Sequence, residues 1–260
     1  MRKVLLLIFC IFLFSKPCFP ARPLSTDDTA TTEKGGWEIE FGLTYEKQIE
    51  KGFDEDEQTY YKNLYKNTGL ELGIKYGVLK NLDLGLVIPY IFIDKNSDKD
   101  MNGFEDIIIQ TKSRLFEEKA ITPSYALGLN LKTKSGNEDK DLGTRQIEVE
   151  INNIFSKSID RLVFHLNLGY NFLTKRKGQD DTFSYGLAFE YPLRQGKLNL
   201  VGEFIGETNF EGNFDKNPAS LLLGFNYTLT DWFVFDIGCS GGISEAAPEY
   251  VFICGVTLNF

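Results

Sequence analysis

From Trp37 to the last residue, apolar and polar side chains alternate every second position, and this pattern constrains the chain more than any other feature. A two-residue period belongs to an extended strand, whose successive side chains point to opposite faces. Trp37, Ile39, Phe41, Leu43 and Tyr45 alternate with Glu38, Glu40, Gly42 and Thr44. The pattern returns at Leu70–Tyr76, Leu82–Tyr90, more weakly at Ile107–Leu115, and at Tyr125–Leu131. It is clearest later, at Ile147–Ile151, Leu162–Phe172, Phe183–Tyr191, Leu221–Leu229, Phe233–Ile237 and Tyr250–Phe260. In Leu198–Phe204 the register is ambiguous. No helical periodicity of any length appears after the N-terminus.

The apolar positions of these segments carry no charge. The opposite face carries Glu38, Glu40, Glu71, Lys75, Asp83, Lys112, Arg114, Lys132, Glu148, Glu150, Glu203 and Asp236, with His165 on the same side. A charge on a lipid-facing strand position near the midplane costs roughly 2–4 kcal/mol, whereas in a lumen it is hydrated or paired. The segregation predicts an all-β fold, a transmembrane antiparallel up-and-down β-barrel of about twelve strands, over residues 37–260. Apart from Asp83, the residues just named, His165 included, are the candidate lumen-lining residues. Tyr45, Tyr76, Tyr90, Tyr191 and Tyr250 sit at strand ends, as an interfacial girdle requires.

Composition agrees. There are 22 Phe and 12 Tyr, yet mean hydropathy is −0.20. A membrane strand is half polar, so averaging hides it. Connections also alternate in length: long polar ones span 49–67, 94–103, 134–143, 174–182, 209–217 and 240–249, and short ones such as Leu79-Lys80-Asn81 lie between. That rhythm predicts long external loops, short periplasmic turns and both termini in the periplasm.

Met1-Arg2-Lys3 and the apolar run Val4–Phe14 predict a signal peptide over 1–21 and export to the cell outer membrane. The alternative is a short N-terminal anchor helix, but the run is shorter than the ~20 residues a span needs. Cys18 does not make a lipoprotein site, because Ser15-Lys16-Pro17 before it is not small and apolar. Residues 22–36 then form a periplasmic N-terminal segment, and Thr26–Gly36 is long enough to fold inward as a partial plug.

Candidates for chemistry are few. His165, the only histidine, has no partners at metal-ligand spacing, so no metal site, cofactor or catalytic set is expected. Asp27-Asp28 and the run 54–57 could bind a cation, although a solvated loop suits the run better. Cys239 and Cys254 flank the last loop; the alternatives are a disulfide and two small apolar side chains. A net charge of −9 argues against nucleic acid as a partner. The expected partners are outer-membrane lipid and lipopolysaccharide, the barrel-assembly machinery through the terminal Phe260, and a small-molecule solute.

Several motifs carry a resemblance. Ala21–Asp28 with Glu33-Lys34-Gly35, Gly103-Phe104-Glu105-Asp106-Ile107, Thr133–Asn137 with Leu142-Gly143, Tyr227–Trp232, Ala247–Tyr250 and Thr257–Phe260 occur in that order. Together they resemble an outer-membrane "transporter" family, also labelled putative MetA-pathway of phenol degradation. Glu105 stands where that family has a second Gly. The resemblance implies an outer-membrane barrel for passage of small aromatic or hydrophobic molecules, and it implies no catalytic residues. The function expected is a passive channel; the alternatives are a non-conducting structural or adhesive barrel acting through its long loops, and an outer-membrane enzyme.

Overall fold

The computed structural model describes residues 22–54, 59–95, 101–137, 140, 142–143, 146–173, 181–194, 197–208 and 216–260. The expected signal peptide, residues 1–21, and most of the acidic run at 54–57 lie outside the described residues.

Thirteen strand segments follow in chain order: β1 (Trp37–Asp54), β2 (Thr59–Leu79), β3 (Leu82–Lys95), β4 (Met101–Phe104), β5 (Ile108–Phe116), β6 (Ser124–Lys132), β7 (Glu148–Ile159), β8 (Leu162–Leu173), β9 (Thr182–Pro192), β10 (Leu198–Thr208), β11 (Ala219–Thr230), β12 (Phe233–Gly242) and β13 (Tyr250–Asn259). Apart from β4 and β5, consecutive strands pair antiparallel, and β1 also pairs β13, from Glu38 opposite Asn259 to Lys47 opposite Tyr250. The sheet therefore closes on itself. Trp37 and Phe260 seal the seam by exchanging backbone hydrogen bonds of 3.0 and 2.8 Å.

Thirteen segments make twelve barrel strands, because β4 and β5 both pair with β3. Pro89 explains the break. Its carbonyl accepts the Glu105 N–H at 3.1 Å, so its nitrogen belongs to the same edge. That nitrogen has no hydrogen to donate, and the ladder is interrupted opposite it. The stretch 94–103 expected as a loop thus contains most of the short strand β4.

The first hairpin also differs from expectation. The span 49–67 reads as a polar loop, yet β1 and β2 remain paired out to Asp54 opposite Thr59. β1 has 18 residues and β2 has 21, against the roughly 9–11 a tilted strand needs to cross a bilayer. Beyond the lipid both faces are wet, so the hydropathy alternation stops while the backbone pairing continues.

The outward face is the expected one. Leu84, Leu223, Leu229 and Ile237 are 49–62% exposed. Between them, Val201, Val234, Asp236 and Thr257 are at most 2% exposed and face inward. The ambiguous β10 resolves with Asn199, Val201 and Glu203 inside. Leu223→Arg would put a charge in lipid, and we expect it to lower stability by about 2–4 kcal/mol. Denaturant unfolding from lipid vesicles measures this; an unchanged midpoint would place Leu223 away from the membrane.

Cys239 and Cys254 are free. Cys239 stands opposite Phe252 and Cys254 opposite Ile237, so the two are two residues out of register. Such diagonal neighbours are too far apart for the direct-pair geometry a disulfide needs.

Candidate functional site

Residues 22–36 run inside the barrel, between the middle of the lumen and the end where Trp37 meets Phe260. A segment held there must find partners for its own backbone groups, since a buried unpaired N–H is costly. The wall supplies them. The Glu203 carboxylate on β10 accepts the Ser25 and Thr26 N–H groups at 2.9 and 2.8 Å. Asn167 on β8 bonds Asp27 twice, accepting its N–H at 2.9 Å and donating to its carbonyl at 2.8 Å, as a neighbouring strand would. Ser156 on β7 accepts the Thr29 N–H at 3.1 Å, and Asp83 on β3 accepts that of Thr32 at 3.0 Å. Within the segment the Asp28 carboxylate accepts the Ala30 N–H at 2.7 Å, which closes a tight turn.

Apolar and steric fit complete the seat. Leu24 packs with Ala188, Val201 and Leu222, from β9, β10 and β11. Pro23 rests on Gly224 and Gly238, where a Cβ at Gly224 would come 2.8 Å from the proline ring. At the foot, Gly35 takes φ +84 and its N–H donates to the Gly77 carbonyl at 2.7 Å. Glycine enters that left-handed conformation without a steric penalty.

Charge ties the segment to the opposite wall. The Lys112 ammonium on β5 donates to the Asp27 carboxylate at 3.0 Å and to the Asp28 carbonyl at 3.1 Å. It stands 3.6 Å from the Asp28 carboxylate. Burial would raise the Asp27 carboxyl, but Lys112 and Lys75 hold it below its ordinary value. Burial does push the Asp28 carboxyl up, despite the opposing pull of Lys112. Arg22 pairs with Glu71 and stands 3.8 Å from Glu40.

The remaining sequence-predicted residues fall into place around this segment. Lys75 donates to Glu38 at 2.9 Å and to Glu40 at 3.3 Å. Lys132 and Glu148 pair at 3.3 Å, at the end away from the termini. Glu150 accepts from Asn130 at 2.7 Å and from Ser184 at 3.2 Å. Arg114 sits at the termini end, 4.0 Å from Glu117. His165 has partners after all: Ser156 Oγ lies 2.8 Å from its Nδ1 and Glu190 lies 3.6 Å from its Nε2. Ser156 also takes the Thr29 N–H, so this trio forms part of the segment's seat. The Asp236 carboxylate is fully buried, and neither oxygen has a hydrogen-bond partner among the described residues. Sequence reading did not single out Arg22, Glu190, Asn167 or Ser156. Except for Arg22, their positions on the polar side of the alternation were the available signal.

Two cavities flank the segment. One, of about 480 Å³, is lined by Thr44, Glu150, Tyr185, Glu203 and Glu207 among others. The second, of about 420 Å³, is lined by Arg22, Glu71, Lys75, Lys112 and Glu150. Ser25, Thr44, Glu150, Asn152 and Ile253 border both.

Comparison with known proteins agrees with this architecture. The family model described as "Putative MetA-pathway of phenol degradation" matches residues 22–260. Comparison with curated proteins finds no match. An outer membrane channel from Pseudomonas putida F1 superposes with a TM-score of 0.71 at 13% identity, covering 91% of this chain and 100% of that one. The NanC porin gives 0.56 at 9% identity, covering 85% and 98%. The toluene transporter TbuX of Ralstonia pickettii gives 0.50 at 10% identity, covering 90% and 92%. At these identities the likeness is one of fold, that of outer-membrane barrels.

Proposed function

We propose that this chain, which belongs to the family described as "Putative MetA-pathway of phenol degradation", is a passive outer-membrane channel for small solutes, hydrophobic and aromatic ones among them. The observation that carries the reading is a closed barrel whose inward-facing charges border two cavities beside a narrow internal segment. An eight-stranded barrel is filled by its own side chains, and twelve strands enclose more. In this chain the N-terminal segment occupies part of the surplus and the cavities are what remains. The name of one structural neighbour, a toluene transporter, agrees with an aromatic solute. In this reading the termini face the periplasm, the long loops face outward toward lipopolysaccharide, and Phe260 is the residue that assembly machinery reads.

A second reading follows from how firmly the segment is bonded. A lumen tied from β1 to β10 suits a non-conducting structural or adhesive barrel acting through its loops. One experiment separates the two. Purified protein in planar bilayers, or in liposomes loaded with aromatic acids and alkanes, should conduct or leak. If no solute passes faster than through empty liposomes, the channel reading fails and the structural one stands.

A further inference from the structure

The two cavities are not neutral. The larger has Glu150, Glu203 and Glu207 in its wall and no Lys, Arg or His among its described lining residues. The smaller has five carboxylates, Asp27, Glu40, Glu71, Asp83 and Glu150, against three cations. Each of those cations is already engaged: Arg22 with Glu71, Lys75 with Glu38, and Lys112 with Asp27. Glu150 is different. It borders both cavities, and its hydrogen bonds come from neutral donors, Asn130 and Ser184. Glu207 is half-buried and lines the larger cavity.

From this we infer that the lumen selects by charge, with Glu150 as the residue that sets the selection and Glu207 reinforcing it. Cations and neutral hydrogen-bond donors pass, and anions are turned back. The physical basis is a cleft walled by one sign of charge, which concentrates counter-ions within it and excludes co-ions. Apolar neighbours in the larger cavity, Ile205, Leu222 and Ile253, add room for an organic group beside the carboxylates. The solute class this wall accepts is therefore the small hydroxylated or amine-bearing aromatic, and the class it refuses is the aromatic carboxylate.

The inference rests on the channel reading, and one measurement tests the two separately. The full chain is placed in planar bilayers under a KCl gradient and the reversal potential is read. At low salt we expect potassium to permeate about tenfold or more better than chloride. Glu150→Gln combined with Glu207→Gln should lower that ratio at least about threefold. Raising the salt to about 1 M should also lower it, because the screening length shrinks to about 3 Å. Glu207→Gln alone, at a half-buried site, should give a smaller drop and guards against a folding defect at Glu150. A ratio at or below one, or a ratio unchanged in the double variant, overturns charge selection and leaves the channel standing. Absence of current overturns the channel reading and charge selection with it.

Discussion

Deleting Leu24–Thr31 should raise single-channel conductance about threefold or more while the barrel still assembles. The deletion removes the part of the segment that crosses the lumen and keeps the tie between Gly35 and Gly77 at its foot. The two cavities, about 480 and 420 Å³, would then merge across the space it filled. A twelve-stranded wall without internal filling is wider than the eight-stranded case in which side chains close the interior. The wall should survive, because its closure rests on backbone pairing between neighbouring strands and not on the segment. Some stability should be lost. Leu24 is 6% exposed, and unburying a leucine costs about 1.5–3 kcal/mol. The retained heat-modifiable band on a gel checks assembly, and single-channel recording checks conductance. Equal conductance in a folded deletion variant would show that the segment does not narrow the path.

The wall was legible in the sequence and the interior was not, and the residues show why. Leu221, Leu223, Phe225, Tyr227 and Leu229 meet lipid, which selects for apolarity at every second position, so the face can be read from one strand alone. The lumen has no such uniform requirement. Val201, Leu222 and Ile154 face inward although they are apolar, because Leu24 packs on the first two and because an interior that is partly filled tolerates apolar groups. The same mixing made the register of β10 ambiguous. The break between β4 and β5 depends on which edge Pro89 turns toward, and a two-residue period does not encode that. The segment itself has no periodicity. Its bonds run from Ser25 to Glu203 and from Thr29 to Ser156, over more than a hundred residues of sequence. The acidic pair Asp27-Asp28 was visible as a cation binder, and the cation it holds is Lys112 of the chain's own wall.

Lys112→Met should release the segment without removing it. Among the described residues the Lys112 ammonium is the cation within 4 Å of both carboxylates, Asp27 and Asp28, and its side chain is 12% exposed. Removing one member of a buried pair leaves an uncompensated charge, a loss of roughly 3–5 kcal/mol in a dry interior. Asp27 is 33% exposed in a lumen, so about 2 kcal/mol is the fair expectation here. That shifts the docked population about thirtyfold, since each 1.4 kcal/mol is a factor of ten. Recordings should then show excursions from the parental level to the level of the deletion variant. The two carboxylates differ in what they contribute. The lowered Asp27 carboxyl favours docking at neutral pH, a contribution lost as pH falls through that lowered value. The raised Asp28 carboxyl opposes docking at neutral pH and opposes it less as pH falls. Adding Asp27→Asn or Asp28→Asn to Lys112→Met removes one of the two charges left uncompensated and should restore part of the parental level. A Lys112→Met channel with no excursions would mean that the segment's hydrogen bonds to Glu203, Asn167 and Ser156 hold it without help from charge.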